Sequence, residues 1–144
     1  MKQNIIISAC LLGEPCRYDG ASKNHPLATR LREKYNLIPV CPEVFGGLPT
    51  PRIPSEIMGD RVVNKVGVDV TAEYHRGAEV ALAMAREGKV AFAVLKARSP
   101  SCGKGEVYDG TFTGTLRRGH GITVAAFLEA GIPVYTEDEI ESLL

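Results

Sequence analysis

Val90-Ala91-Phe92-Ala93-Val94-Leu95 runs directly into Lys96-Ala97-Arg98-Ser99-Pro100-Ser101-Cys102-Gly103. The first six residues are the most apolar run of the chain, and turn formers follow them. A short apolar run bounded by turn signals reads as a buried strand that delivers a loop. This loop presents two hydroxyls, Ser99 and Ser101, and a thiol, Cys102. Pro100 stiffens the turn, and Gly103 lets the backbone pass close to whatever the thiol holds.

The same arrangement recurs twice upstream. The β-branched run Asn4–Ser8 leads into Ala9-Cys10-Leu11-Leu12-Gly13-Glu14-Pro15-Cys16-Arg17-Tyr18-Asp19-Gly20. Leu37–Val40 leads into Cys41-Pro42-Glu43 and a loop through Glu56 with four prolines and two glycines. That composition excludes helix or central strand there, and the interleaved Val44, Phe45, Leu48 and Ile53 argue for order.

Between and beyond these runs lie the covering elements. A helix is expected from about Asn24, with Pro26 in its first turn and Leu27, Leu31 and Tyr35 on its apolar face. Asp60–Val70 reads as an exposed hairpin turning near Asn64-Lys65. Thr71 caps an alanine-rich helix that runs to about Arg86 and closes at Gly88. Gly105–Gly121 reads as a loop facing the site, followed by a helix over Ile122–Ala130 and a strand over Ile132–Tyr135. Thr136-Glu137-Asp138-Glu139 has the form of a capping box opening a last helix. The alternation predicts an α/β fold, one three-layer Rossmann-like domain over residues 1–144 with a mostly parallel sheet. In such sheets ligands sit outside the carboxyl ends of the strands. Cys10, Cys41 and Cys102 each fall just past the end of a different expected strand.

Composition narrows the function classes. Of 144 residues, 44% are hydrophobic and 24% charged, as in globular domains. Seventeen basic residues balance seventeen acidic ones, so no bulk charge draws the chain to nucleic acid, although Lys96, Arg98, Lys104, Arg117 and Arg118 can form local basic patches. No apolar run is long enough to span a membrane, and Met1-Lys2-Gln3-Asn4 does not open a signal peptide, so a cytoplasmic location is expected. The four cysteines show no Cys-x-x-Cys spacing, and in a reducing compartment they read as thiols.

Converging thiolates select zinc, Cu(I) or an iron–sulfur cluster. Cys16 either completes a four-thiolate structural site or stands beside a three-thiolate site as a helper or bystander. Glu43, two residues from Cys41, is either a proton carrier or a solvated loop charge. Ser99 is either a site hydroxyl or a turn former. Arg17, Asp19 and Arg52 either bind a polar substrate or pair with one another. Of the three histidines, His75 reads as a surface residue of its helix, and only His120, beside glycines, is carried as a site candidate.

These blocks together resemble a bacterial family that includes the thiouracil desulfidases. The resemblance rests on Ser8-Ala9-Cys10-Leu11-Leu12-Gly13 with Cys16-Arg17-Tyr18-Asp19-Gly20. It continues in Cys41-Pro42-Glu43 with Gly46-Gly47-Leu48-Pro49-Thr50-Pro51-Arg52. The third block is Leu95–Gly103 with Tyr108-Asp109-Gly110-Thr111-Phe112, so essentially the whole chain is covered. The resemblance implies a four-iron, four-sulfur cluster held by Cys10, Cys41 and Cys102, with one iron left for the exocyclic sulfur of a thiolated pyrimidine. It implies Glu43 as proton carrier, with Ser99 assisting. The expected partner is a small thiolated base, and neither a membrane nor a nucleic acid is indicated. The competing class is a non-catalytic zinc or iron–sulfur protein that binds a partner or RNA. A thiol redox enzyme is disfavoured by the missing Cys-x-x-Cys pair.

Overall fold

Three consecutive isoleucines, Ile5, Ile6 and Ile7, are completely buried in the middle of β1 (Gln3–Ser8). Side chains alternate across a strand, so burial on every residue requires cover on both faces, the condition of a central parallel strand. The computed structural model, which describes residues 2–22 and 24–144, has that arrangement. β2 (Tyr35–Val40) lies parallel to β1 on one side and β5 (Ala93–Leu95) on the other, and β8 (Val134–Thr136) pairs with β5. The four-stranded order is β2-β1-β5-β8, all parallel.

The two faces are covered differently. Ile6, Val40, Ala93 and Leu95 pack against α2 (Thr71–Glu87) and α3 (Ile122–Glu129) through Ala81, Ala85, Val124 and Phe127. Ile5, Ile7 and Val94 pack against Leu11, Leu31 and Ile140, which stand on short 3-10 segments. The fold is therefore α/β with a parallel central sheet, and its third layer is made of tight turns.

That layer holds the main departure from expectation. No α-helix begins at Asn24: the segment forms a 3-10 turn over Thr29–Glu33. Four of its amides reach back three residues, Ala28 N to His25 O, Arg30 N to Leu27 O, Leu31 N to Ala28 O and Lys34 N to Leu31 O. Tyr35, expected on the helix, is already the first residue of β2, so the expected apolar face loses its last member to the sheet.

Smaller departures follow from local chemistry. Prolines do not prevent α1 (Pro42–Phe45), because Pro42 takes the first turn, where its missing N–H is no loss. The expected hairpin turn near Asn64 is present, with one bridge from Val63 to Asp69. The main ladder, however, joins β3 (Ser55–Met58) to β4 (Arg61–Asn64). Thr71 does not cap α2, since its hydroxyl accepts from Val62 N at 2.8 Å and Asp69 accepts the Thr71 amide at 2.9 Å. The loop at Gly105–Gly121 carries a short hairpin of β6 (Glu106–Tyr108) and β7 (Leu116–Arg118). The Thr136–Glu139 capping box forms as expected, on a 3-10 segment. Among the described residues no helix is long and apolar enough to cross a membrane.

Candidate active site

The carboxyl ends of β1, β2 and β5 open onto one cleft of about 560 Å³. Cys10, Cys16, Cys41 and Cys102 all border it, and so do Glu43, Arg52, Ser99 and Ser101.

Three arms carry these groups. After β1, a 3-10 turn over Ala9–Leu12 buries Cys10 beside Leu11, and Gly13 takes the left-handed conformation that ends it. After β2, Cys41 stands in extended conformation at the head of α1, with Glu43 in the first turn. A close approach holds α1 in place: Gly46 faces the Glu73 carbonyl of α2, and Gly77 of α2 faces the Pro42 carbonyl. A methyl group on either glycine overlaps that carbonyl. After β5, Ser99 Oγ accepts the amides of Ser101 and Cys102, both at 3.1 Å. The carbonyls of Pro100 and Ser101 in turn accept the first amides of α3, from Ile122 and Thr123 at 2.9 Å each. The loop thus satisfies donors that a helix start leaves open, and α3 holds the loop still.

Glu43 is the hub of the polar network. Its Oε2 receives Arg52 Nε at 2.8 Å and Arg52 Nη2 at 2.7 Å. Its Oε1 faces the hydroxyls of Ser99 and Ser101, both at 3.3 Å. With two amides on Ser99 Oγ, its acceptor capacity is used, so its proton points to Glu43 or to Ser101 Oγ at 3.1 Å. Ser101 can pass its own proton to Glu43 or to Cys102 Sγ at 3.4 Å. A continuous hydroxyl path therefore joins the carboxylate to the thiol.

The thiols of Cys16, Cys41 and Cys102 are raised. Burial pushes Cys102 up to about 12, against the pull of the Ser101 and Ser8 hydroxyls. The adjacent Cys10 thiol pushes Cys16 up to about 11, with Cys41 pulling the other way and burial adding. Cys41 is raised by the Cys16 thiol and by burial. Burial alone would lower Arg52, but the charge and hydrogen bond of Glu43 hold it above its ordinary value. Tyr74, buried at the cleft wall, is raised by burial and then by the Glu43 charge.

The donor set tests what could bind. Thiolates from separate arms suit a soft metal centre. Among the described residues no group of three or more His, Cys, Asp or Glu side chains stands preformed around one ion. Thiols that reach one cleft from separate arms fit an iron–sulfur cluster, whose several metals take ligands from several directions.

The structure brings Cys10, Cys41, Cys102, Glu43 and Ser99 to this one cleft, with Arg17 and Arg52 beside them. Arg17 pairs with Asp19 at 3.9 Å, while Arg52 pairs with Glu43. His120 lies elsewhere: its Nδ1 accepts the Gly105 amide at the base of the β6–β7 hairpin. His75 is exposed on α2. Sequence reasoning assigned no role to Ser101, Tyr74 or Glu56. Gly77, three residues after Tyr74 in an alanine-rich helix, was the available signal that this helix face meets another backbone. Glu56 had no local signal, because its buried carboxylate accepts the distant amides of Gly110 and Phe112, at 3.0 and 3.1 Å.

Comparison with known proteins is consistent with this site. The family model for 2-thiouracil desulfurase matches residues 5–139. The uncharacterized protein YbbK of Bacillus subtilis (strain 168) is 38% identical over 150 residues, covering 97% of this chain and 99% of YbbK. A solved structure of the 4Fe–4S-dependent thiouracil desulfidase TudS superposes with a TM-score of 0.93 at 48% identity, covering 99% of this chain and 95% of that one.

Proposed function

The chain belongs to the 2-thiouracil desulfurase family, and on that premise we propose that it is a 4Fe–4S-dependent desulfidase that removes sulfur from a thiolated pyrimidine. In this reading residues 1–144 act as one desulfidase-like domain, and Cys10, Cys41 and Cys102 hold the cluster. When bound, the cluster supplies an iron without a protein thiolate, able to take a soft sulfur and polarise its bond to carbon. Water oxygen replaces sulfur at the ring carbon, and both water protons leave with the sulfur as hydrogen sulfide. Glu43 carries the proton between water and leaving sulfur, and Ser99 holds and relays it. Cys16 stands beside the ligands without being one. The family and TudS are both described as sulfur-removing, which disfavours the alternative of a non-catalytic metal-binding module. A reducing cytoplasm suits thiols that must remain available as ligands.

One observation carries the reading. Glu43 Oε1 faces two hydroxyls at 3.3 Å inside the cleft that the three thiols border, while Oε2 is taken up by Arg52. The test is Glu43→Gln, prepared without oxygen beside the parent. Iron and sulfide content should match the parent, while sulfide release from 2-thiouracil or 4-thiouracil should fall by about 10²–10⁴-fold, the usual range for general acid–base assistance. Parent-rate turnover with an intact cluster would remove Glu43 from the mechanism. Ser99→Ala should slow turnover too. Because it also frees the Ser101 and Cys102 amides, Ser99→Thr, which keeps the hydroxyl, is its control.

A further inference from the structure

We propose that Arg52 is the positioning residue of this site. It clamps one oxygen of Glu43 so that the other faces the hydroxyls, and it latches the arm bearing Cys16 to the same carboxylate. The inference rests on the reading of Glu43 as proton carrier.

Arg52 has five N–H donors, and each has a partner. Nε and one Nη2 proton both go to Glu43 Oε2, at 2.8 and 2.7 Å. The other Nη2 proton goes to the Cys16 carbonyl at 3.0 Å. Nη1 reaches Pro49 O at 3.2 Å and Thr50 Oγ1 at 3.1 Å. The Arg52 side chain is only 6% exposed and that of Glu43 13%. A guanidinium this fully engaged is fixed, and a fixed guanidinium fixes its carboxylate.

The mode of pairing matters as much as its strength. Arginine commonly meets a carboxylate side by side, one N–H on each oxygen. Here both protons converge on Oε2, which leaves Oε1 to Ser99 and Ser101. A side-by-side pair would occupy the oxygen that the proton path needs.

The latch is the second half. Besides the Nη2 bond to Cys16 O, the Arg52 amide donates to Tyr18 O at 2.6 Å. Across the cleft the segment between Gly13 and Gly20 also receives the Cys41 thiol on Cys16 O, a weak contact at 3.6 Å, and its backbone bonds go to itself or to flanking residues, as in Gly20 N to Arg17 O and Arg17 N to Ala21 O. Arg52, with the two shorter bonds, is thus the main tie between this arm and the opposite wall of the cleft. Lysine, with a single ammonium, cannot reproduce the planar fork.

The test combines Arg52→Lys with Glu43→Gln, singly and together, all prepared without oxygen. Arg52→Lys should keep parent iron and sulfide content, lower kcat for 2-thiouracil by about 10²-fold and leave KM within a few fold, as misplacement of a catalytic group does. In the Glu43→Gln background the lysine change should cost nothing further. Added guanidinium ion should restore part of the turnover of Arg52→Ala. Independently of turnover, the amides of residues 13–20 should exchange hydrogen faster in Arg52→Lys.

Several results would overturn the inference. Arg52→Lys at the parent rate does so, as does an equal further loss in the Glu43→Gln background, because Arg52 would then act without Glu43. Loss of iron in both arginine variants reduces Arg52 to structural support, and unchanged exchange removes the latch. If Glu43→Gln itself turns over at the parent rate, the proton-carrier reading falls and this inference with it. If Glu43→Gln is slow while Arg52→Lys is not, the inference about Arg52 fails alone.

Discussion

The arm that carries Cys102 and the arm that carries Cys16 both bring a thiol to one cleft, and they are held in opposite ways. The Cys102 arm is bonded through its backbone on every side. Ser99 Oγ collects two of its amides, the Gly103 amide returns to Ser99 O at 2.8 Å, and α3 anchors its amides on Pro100 and Ser101. At its base, Lys96 pairs with Glu137 at 2.8 Å, and Glu137 also accepts the Ala97 amide at 2.6 Å. The Cys16 arm crosses the cleft on Arg52, whose guanidinium and amide hold Cys16 O and Tyr18 O. Cys102 is buried, whereas Cys16 is partly exposed. A thiol fixed by its own backbone is suited to be a permanent ligand.

The largest expected effect separates these two thiols. Cys102→Ser should lose the cluster, measured as iron and labile sulfide per chain after anaerobic reconstitution, and Cys16→Ser should retain most of it. Equal loss in both would erase the distinction and favour a closed four-thiolate site. Next comes the support of the Cys41 arm. Gly77→Ala places a methyl against the Pro42 carbonyl, so the backbone must shift. Overpacking of this kind costs about 1–3 kcal/mol, read as a lower midpoint of denaturant unfolding with unchanged slope. An unchanged midpoint would mean that α1 is not pinned by α2.

A third test sharpens the account of the Cys102 arm. Burial would raise Glu137, but the hydrogen bond and charge of Lys96 outweigh it and hold the carboxyl below its usual range. A carboxylate lowered by folding contributes stability above its unfolded pKa and loses it as pH falls through the folded one. Without Lys96 that loss begins at higher pH. In Lys96→Gln, acid unfolding followed by near-ultraviolet circular dichroism should therefore start at a higher pH than in the parent; coincident curves would leave the pair without a part in holding the arm. The smallest effect is expected in the loose arm. Asp19→Ala removes an ion pair with Arg17 at 3.9 Å and the bond Asp19 accepts from the Ala21 amide at 2.9 Å, both near the surface, and should change stability by less than about 1 kcal/mol. A larger loss would show that Asp19 is itself an anchor of the Cys16 arm.

Some elements were legible because their signals are local. Ile5–Ile7 is buried on both faces wherever it is placed in a parallel sheet, and a turn-forming segment must follow each strand. Thr136 and Glu139 lie three residues apart, which is all a capping box needs. The helix expected at Asn24 was drawn through Tyr35, which instead opens β2 and pairs in register with Gln3. Strand pairing decided that boundary, and no window on residues 24–35 contains it.

The sequence by itself determined the parallel strands and the placing of Cys10, Cys41 and Cys102 just past their carboxyl ends, since strand period and turn chemistry act over a few residues. Tertiary structure alone decided which polar groups meet. Glu43 and Ser99 are 56 residues apart, Arg52 and Cys16 are 36 apart, and Glu56 reaches amides 54 and 56 residues away. Those meetings depend on the order of strands in the sheet and on α1 lying close against α2, quantities that are summed over the whole fold and that no single stretch encodes.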